Sequence, residues 1–268
     1  MTAEISAKLV KELRDQTGAP MMDTKRALQE TNGDLEAAKR LLRERGMAQA
    51  AKRAGRETTE GLVGYRLGDG DAKGTIVAVG CETEPVSKND EFQAFAKKVL
   101  ETVEAGGTAA VGSLDEERAE LSGKLGENIS VVGAARFEAV DGGRIAAYAH
   151  PPANKIGVLL QLRGGDADLG RKLAMHIAAS QSTQWIGRED VPEEIVASER
   201  DILMSSDEVQ SKPEQAREKI VDGMLNKRFF GQNVLVDQEW IHDGSKTVGQ
   251  ALSEAGAEVL EFERFQLG

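Results

Sequence analysis

The sequence has a single cysteine, Cys81, which begins the stretch CETEPVSKNDEF. Paired with His150, His176 or His242, its thiol would supply a nucleophile and a base. Cys81 follows the apolar run TIVAVG, however, and an isolated cysteine at such a place is usually a small buried side chain. One cysteine and three widely spaced histidines also lack metal-site spacing. The pattern therefore predicts neither a thiol enzyme nor a metal site.

A second possible site is DGSKTVG at residues 243–249, which resembles the end of a phosphate-binding loop. That motif requires glycine directly before the lysine and another glycine five residues earlier. Ser245 occupies the first position, and residues 238–242 contain no glycine. The glycine-rich GDGDAKG is typical of a hairpin turn. The sequence thus predicts no catalytic residue and no cofactor, and it favours a binding protein.

Composition restricts the class of partner. The 268 residues contain 34 Lys and Arg against 45 Asp and Glu, a net charge of −11. Proteins that neutralise phosphates carry a basic surface, so nucleic acid is not the expected partner. The N-terminus has charged residues where a signal peptide has an apolar segment, and a single cysteine forms no internal disulfide. We therefore expect a cytoplasmic protein that does not associate with a membrane.

The first segment has apolar residues at helical spacing, interrupted at Gly18 and at the turn before Asp34. Asp34 is the expected N-cap of a third helix that ends at Gly46. We predict a three-helix docking module over residues 1–50, followed by a charged linker over residues 51–59.

The remainder contains one pattern twice, in which two extended runs separated by a turn precede a helix. The two related strand-strand-helix units cover residues 60–140 and 141–185. We predict an α+β fold with a core N-subdomain at 60–140 and a core C-subdomain at 141–268.

The C-subdomain is expected to carry a helical hairpin, a coiled-coil arm, at residues 193–228, where two apolar-periodic segments flank SKP. Beyond the arm, the pattern predicts an extended VLVDQEWI at 234–241, a short helix TVGQALSEAG and a final strand EVLEFERF.

Several segments, in this order and spacing, resemble the bacterial elongation factor Ts family over nearly the whole chain. They are LVKELRDQTGAPMMDTKRALQETNGDLEAAKRLLRERG, TEPVSKNDEFQAF, GENI at 126–129, KIGVL at 155–159, MHIAAS at 175–180 and SKTVGQ at 245–250. The resemblance implies that the N-terminal helices form a module like the ubiquitin-associated domain.

The resemblance also implies a function. Family members are guanine-nucleotide exchange factors that bind elongation factor Tu in its GDP form, disturb its magnesium and phosphate site, and promote GDP release. Such a protein is not an enzyme, needs no cofactor, and contacts neither nucleic acid nor membrane directly. The alternative is a non-catalytic adaptor that binds a partner through its helical module. The sequence indicates no oligomeric state.

The same resemblance assigns the contacts with elongation factor Tu to eight residues. They are Met21, Met22, Thr83, Glu84, Pro85, Val86, Ile129 and His150. At the family's Asp-Phe pair, which enters the nucleotide-binding domain, this sequence has Glu84 and Pro85. Proline fixes φ and stiffens the loop, although it does not fill a slot of aromatic size.

Overall fold

The computed structural model describes residues 5–140 and 142–268, and it has the predicted α+β architecture. In this part of the chain the strands form two antiparallel sheets of three strands each. Sheet A has the order β1-β2-β3, with β1 Glu60–Gly68, β2 Lys73–Cys81 and β3 Ser130–Glu138. Sheet B has the order β4-β5-β6, with β4 Arg144–Ala149, β5 Ile156–Arg163 and β6 Glu258–Gln266.

Three helices precede β1, and the others lie between strands in the chain. The first seven are α1 Ala7–Thr17, α2 Met21–Glu30, α3 Leu35–Arg53, α4 Glu84–Ser87, α5 Asp90–Gly106, α6 Asp115–Leu125 and α7 Ala167–Ala179. The others are α8 Glu193–Ser205, α9 Asp207–Gln210, α10 Glu214–Met224, α11 Gly231–Asn233 and α12 Val248–Glu254. A π-helix covers Leu225–Phe230, and 3-10 turns cover Thr108–Leu114, Arg188–Asp190 and Leu235–Asp237. No helix among the described residues has both the length and the apolar character needed to cross a membrane.

The two sheets pack face to face, and each carries helices on its other face. In the central strand β2, Ile76 and Ala78 belong to the apolar cluster between the sheets, together with Leu159 of β5. The alternate residues Val77 and Val79 instead pack against α5. Since successive side chains of a strand point to opposite faces, β2 contributes to two cores, as its continuous apolar run requires. The result is an α-β-β-α stack.

The three predicted N-terminal helices are present and enclose a small core of their own. Ser6 caps α1 by accepting a hydrogen bond from the Leu9 amide at 3.2 Å, and Asp34 caps α3 through the Ala37 amide at 3.0 Å. Gly18 ends α1 with a left-handed φ of 64°. Their core consists of Val10, Leu13, Ala27, Leu28 and Ala38.

The prediction that Gly46 ends the third helix is wrong, because α3 continues through Gly46 to Arg53. Gly46 lies where α3 crosses α6, and a Cβ placed on Gly123 of α6 would be 2.8 Å from the Gly46 Cα. Arg43 forms ion pairs with both Glu116 and Glu120 of α6. Gly46 therefore serves the close approach of two helices, and the helical module is packed directly on the core.

Each strand-strand-helix unit gains a third strand from a later part of the chain. The predicted strand near the C-terminus is confirmed as β6, whereas β3 was not predicted. The predicted extended run at 234–241 is wrong. Its hydrogen bonds form no continuous ladder, since the amides of Leu235 and Val236 bond to Trp185 and Ile186 while Trp240 bonds to Lys246.

The predicted helical arm is confirmed, with α8 and α10 forming the hairpin and α9 its tip. Arg200 of α8 pairs with Asp222 of α10 at 2.6 Å. At the base, the Arg188 guanidinium donates two hydrogen bonds of 2.8 Å to the Asp237 carboxylate and lies 4.5 Å from the Phe230 ring centroid. These contacts join the segment that precedes α8 to the segment that follows α10.

Candidate partner interface

The segment after β2 forms one tight helical turn. This α4 turn, residues 82–88, contains α4 and its flanking residues. The Ser87 amide donates to the Thr83 carbonyl at 3.2 Å, and the Ser87 hydroxyl donates to the Glu84 carbonyl at 2.7 Å. Asn89 follows as the N-cap of α5 and accepts from the Glu91 amide at 2.9 Å. Local hydrogen bonds therefore fix the shape of the turn.

A carboxylate from another part of the chain holds the start of the α4 turn. Glu127 Oε2 accepts from the amides of Glu82 and Thr83 at 3.1 and 3.0 Å, and its Oε1 accepts from the Thr83 hydroxyl at 2.5 Å. In return, Glu82 Oε1 accepts from the Asn128 amide at 2.6 Å. Glu127 was not predicted as a functional residue, although it lies in the segment GENI. Nothing in the neighbouring sequence indicates that its side chain reaches Thr83.

The tip of the α4 turn is open to solvent. The Glu84 side chain is 65% exposed, and its carboxylate pairs with the Lys88 ammonium at 2.7 Å. The hydrogen bond from Lys88 and its charge, with a smaller contribution from Lys155, lower the pKa of Glu84. Pro85 is exposed beside it, while Val86 is half-buried against the α5 core. The turn thus presents a carboxylate, paired with Lys88, and a rigid apolar ring to solvent.

Cys81 lies beneath this turn and is fully buried. Its thiol donates to the Thr83 carbonyl at 3.3 Å, and burial raises the pKa of the thiol to about 12. The three histidines bond elsewhere, with His176 to Gln238, His242 to the Lys172 carbonyl and His150 to Tyr148. The structure therefore brings no thiol and imidazole together among these residues.

His150 lies in an exposed turn between β4 and β5. Its Nδ1 is 2.9 Å from the Tyr148 hydroxyl. This turn is tied to the first strand of sheet A, since Lys155 pairs with Glu60 at 2.5 Å. Glu60 pairs with Cys81 in the sheet register, and Lys155 contributes to the low pKa of Glu84. The His150 turn and the α4 turn therefore lie at the same end of the stacked sheets.

Met21 and Met22 begin α2, and they are 52% and 61% exposed. The same helix turns Ala27 and Leu28 into the core of the module. Two adjacent exposed thioethers form an adaptable apolar surface suited to binding another protein.

Comparison with known proteins decides the family. The family model for "Elongation factor TS" matches residues 82–268. Proteins named Elongation factor Ts from Thioalkalivibrio sulfidiphilus and Methylococcus capsulatus are each 42% identical to this chain, over 98% of it and 92% of their own length. One from Escherichia coli is 42% identical over 99% of this chain and 92% of its own. The chain belongs to the elongation factor Ts family.

As an elongation factor Ts family member, the protein acts in translation elongation, a step of protein biosynthesis. The match to the family model begins at Glu82, the first residue of the α4 turn, and includes both the arm and sheet B. The α1–α3 module precedes that match, but the bacterial elongation factor Ts sequences cover nearly all of this chain.

One residue that was expected to contact a partner is not on the surface of the protein. Ile129 is 0% exposed and packs in the α5 core with Phe92 and Val99. Its side chain lies beneath the surface because it directly precedes β3, whose inner residues face the same core. The expectation that Ile129 contacts a partner is therefore corrected. Met21, Met22, Thr83, Glu84, Pro85 and His150 are exposed, and Val86 is half-buried.

Proposed function

We propose that this protein is a guanine-nucleotide exchange factor that binds elongation factor Tu in its GDP form and promotes GDP release. The supporting observation is the α4 turn, which holds an exposed carboxylate and an exposed proline in a fixed shape beside the His150 turn. Membership of the elongation factor Ts family supports elongation factor Tu as the partner.

In this proposal Met21 and Met22 provide docking contacts, and the α4 turn acts on the nucleotide site. The Glu84 carboxylate approaches the magnesium and phosphate region of the partner, where its charge repels phosphate and competes for the cation. Pro85 keeps the turn in one shape, so little conformational entropy is lost when the turn inserts. The factor forms no covalent bond, and none of its own residues carries out catalysis.

The thermodynamics follow from linkage. A factor that weakens GDP binding must bind nucleotide-free elongation factor Tu better than the GDP complex, and GDP must weaken the factor to the same extent. Accelerating release by about a thousandfold requires a barrier lowered by roughly 4 kcal/mol, which a few displaced contacts can supply. Excess free GDP is therefore expected to dissociate the complex.

The test is release of fluorescent GDP from elongation factor Tu with substoichiometric amounts of this protein. The double variant Glu84→Ala with Pro85→Ala should lower the maximal rate about tenfold, equivalent to roughly 1.4 kcal/mol. Its melting temperature should be unchanged because both side chains are exposed. Pro85→Phe restores the family's ring and should exchange at the parental rate or faster.

Asp168→Ala is the matched control. Asp168 forms an exposed ion pair with Lys172 four residues later at 2.6 Å, the same arrangement as Glu84 with Lys88, but on α7. This control should exchange at the parental rate. Stoichiometric binding with no change in GDP release would reject the exchange function in favour of an adaptor.

A further inference from the structure

The α4 turn depends on a carboxylate that is remote in sequence. Glu127 accepts both backbone amides that lead into the turn, those of Glu82 and Thr83, and also the Thr83 hydroxyl. β2 ends at Cys81, so these two residues lie beyond the sheet ladder. Thr83 is extended, with φ −130° and ψ 152°, and the helical turn starts at Glu84. The orientation of these two peptides sets the direction in which the turn leaves the sheet.

Glu127 is itself firmly placed. Its carbonyl accepts from the buried Ser122 hydroxyl at 2.5 Å, and the preceding Gly126 ends α6 with a left-handed φ of 77°. On its other side, the buried Asn128 donates through Nδ2 to the Arg56 carbonyl at 2.7 Å. Three independent anchors therefore fix the backbone of Glu127 relative to the core.

The pairing is reciprocal, which makes it more than one surface hydrogen bond. Glu82 accepts from the Asn128 amide at 2.6 Å and forms an ion pair with Arg56 at 3.2 Å. Residues 82–83 and 127–128 thus exchange backbone and side-chain bonds in both directions. Hydrogen bonds to a charged carboxylate are about twice as strong as those between neutral groups, so this pairing resists rotation of the turn.

We propose that Glu127 is a positioning residue, which fixes the direction in which the α4 turn presents Glu84 and Pro85 to the partner's nucleotide site. The inference rests on the proposed exchange function and adds a residue outside the turn to it. Glu127 acts only through the turn, so its removal slows the exchange step and leaves docking through Met21 and Met22 intact.

Two substitutions separate positioning from charge. Glu127→Ala removes all three acceptor contacts. In Glu127→Gln, the amide oxygen can accept from both backbone amides while its NH₂ group donates to the Thr83 hydroxyl, which can also act as an acceptor. We expect Glu127→Ala to lower the maximal exchange rate about fivefold with half-saturation changed less than about twofold. Glu127→Gln should keep at least about half of the parental rate.

A double-mutant cycle tests whether Glu127 works through the turn. In the background of Glu84→Ala with Pro85→Ala, adding Glu127→Ala should change the exchange rate by less than about twofold, because coupled residues are non-additive. A full fivefold further loss in that background would overturn the proposal, since Glu127 would then act by another route. Equal losses for Glu127→Ala and Glu127→Gln would also overturn it.

Hydrogen exchange of the free protein gives a readout that needs no partner. The amides of Glu82 and Thr83 should exchange at least about tenfold faster in Glu127→Ala and at the parental rate in Glu127→Gln. Unchanged protection in Glu127→Ala refutes the positioning role even if the parent accelerates GDP release. Conversely, a parent that does not accelerate release refutes the proposed function, whatever the amides show.

Discussion

Gly46 and Gly123 contact each other where α3 crosses α6, and we predict that alanine substitutions at these two positions affect stability differently. A Cβ on Gly123 would lie 2.8 Å from the Gly46 Cα and 3.1 Å from its carbonyl carbon, both backbone atoms. A Cβ on Gly46 would lie 3.7 Å from the Gly123 Cα, which is ordinary van der Waals contact. Gly123→Ala must therefore push the helices apart, while Gly46→Ala fits.

The magnitudes follow from two opposing effects. Each alanine gains about 0.8–1 kcal/mol of helix propensity, because both positions lie within helices. Gly123→Ala also requires the helix axes to separate by about 0.6 Å to restore ordinary contact, and overpacking of this kind costs about 1–3 kcal/mol. Gly46→Ala should thus be stabilised by up to about 1 kcal/mol, and Gly123→Ala should be less stable than Gly46→Ala by about 1–3 kcal/mol.

The assay is equilibrium urea unfolding followed by far-ultraviolet circular dichroism, with hydrogen exchange of the α3 amides as a local measure. We expect faster exchange in α3 for Gly123→Ala because the crossing holds that helix on the core. If Gly123→Ala proves as stable as Gly46→Ala, with α3 equally protected, the two backbones are not in contact and the reasoning fails.

Three further predictions concern other parts of the molecule. Met21→Ala with Met22→Ala should raise the half-saturating concentration of this protein in the exchange assay about fivefold, equivalent to roughly 1 kcal/mol of binding free energy. The circular dichroism spectrum should not change. An unchanged half-saturating concentration would show that the pair is not part of the docking surface. Cys81 should resist alkylation by iodoacetamide at pH 8 in the folded protein and react fully in urea, because burial raises its thiol pKa to about 12; rapid labelling of the folded protein would contradict this. Burial lowers the pKa of His176, so the unfolded chain binds its proton more readily. The stability that neutral His176 contributes is therefore complete above about pH 6.5 and is lost as the pH falls below that value, by up to about 1.4 kcal/mol per pH unit. His176→Gln should show a shallower loss of stability as the pH falls below about 6.5, and an identical slope would refute the assignment.

Local patterns in the sequence predicted most of the helices and strands that have regularly spaced apolar residues or a clear helix-capping residue. The α1–α3 helices, the two hairpins and the arm all follow apolar spacing bounded by turn residues. The strand β3 escaped prediction because SVVGAARFE is mostly small and lacks a clear alternation. Its strand character comes from pairing with β2, which is distant in sequence. Gly46 was wrongly predicted to end α3 for a similar reason. Its glycine is explained by the contact with Gly123, which is distant in sequence.

The position of the interface segments could be predicted from the sequence better than the exposure and contacts of their individual side chains. A loop containing Glu84 and Pro85 was expected after the apolar run TIVAVG, and the α4 turn lies there. The sequence could not show that Ile129 lies inside the α5 core, which depends on how β3 enters sheet A. Nor could it connect Glu127 to Thr83, since the two residues are 44 positions apart and neither residue type indicates a particular hydrogen-bond partner.

The strands of the two sheets are completed at different points during synthesis of the chain. Sheet A is complete once residue 138 has been made, since β1, β2 and β3 all lie within residues 60–138. Sheet B requires β6, and Arg163 of β5 meets Glu258 of β6 across 95 positions. A ribosome-bound chain therefore exposes an open edge of β5 while the whole arm is being translated, and such unpaired edges invite aggregation. The helical arm, encoded between β5 and β6, thus separates the completion of the two sheets during translation.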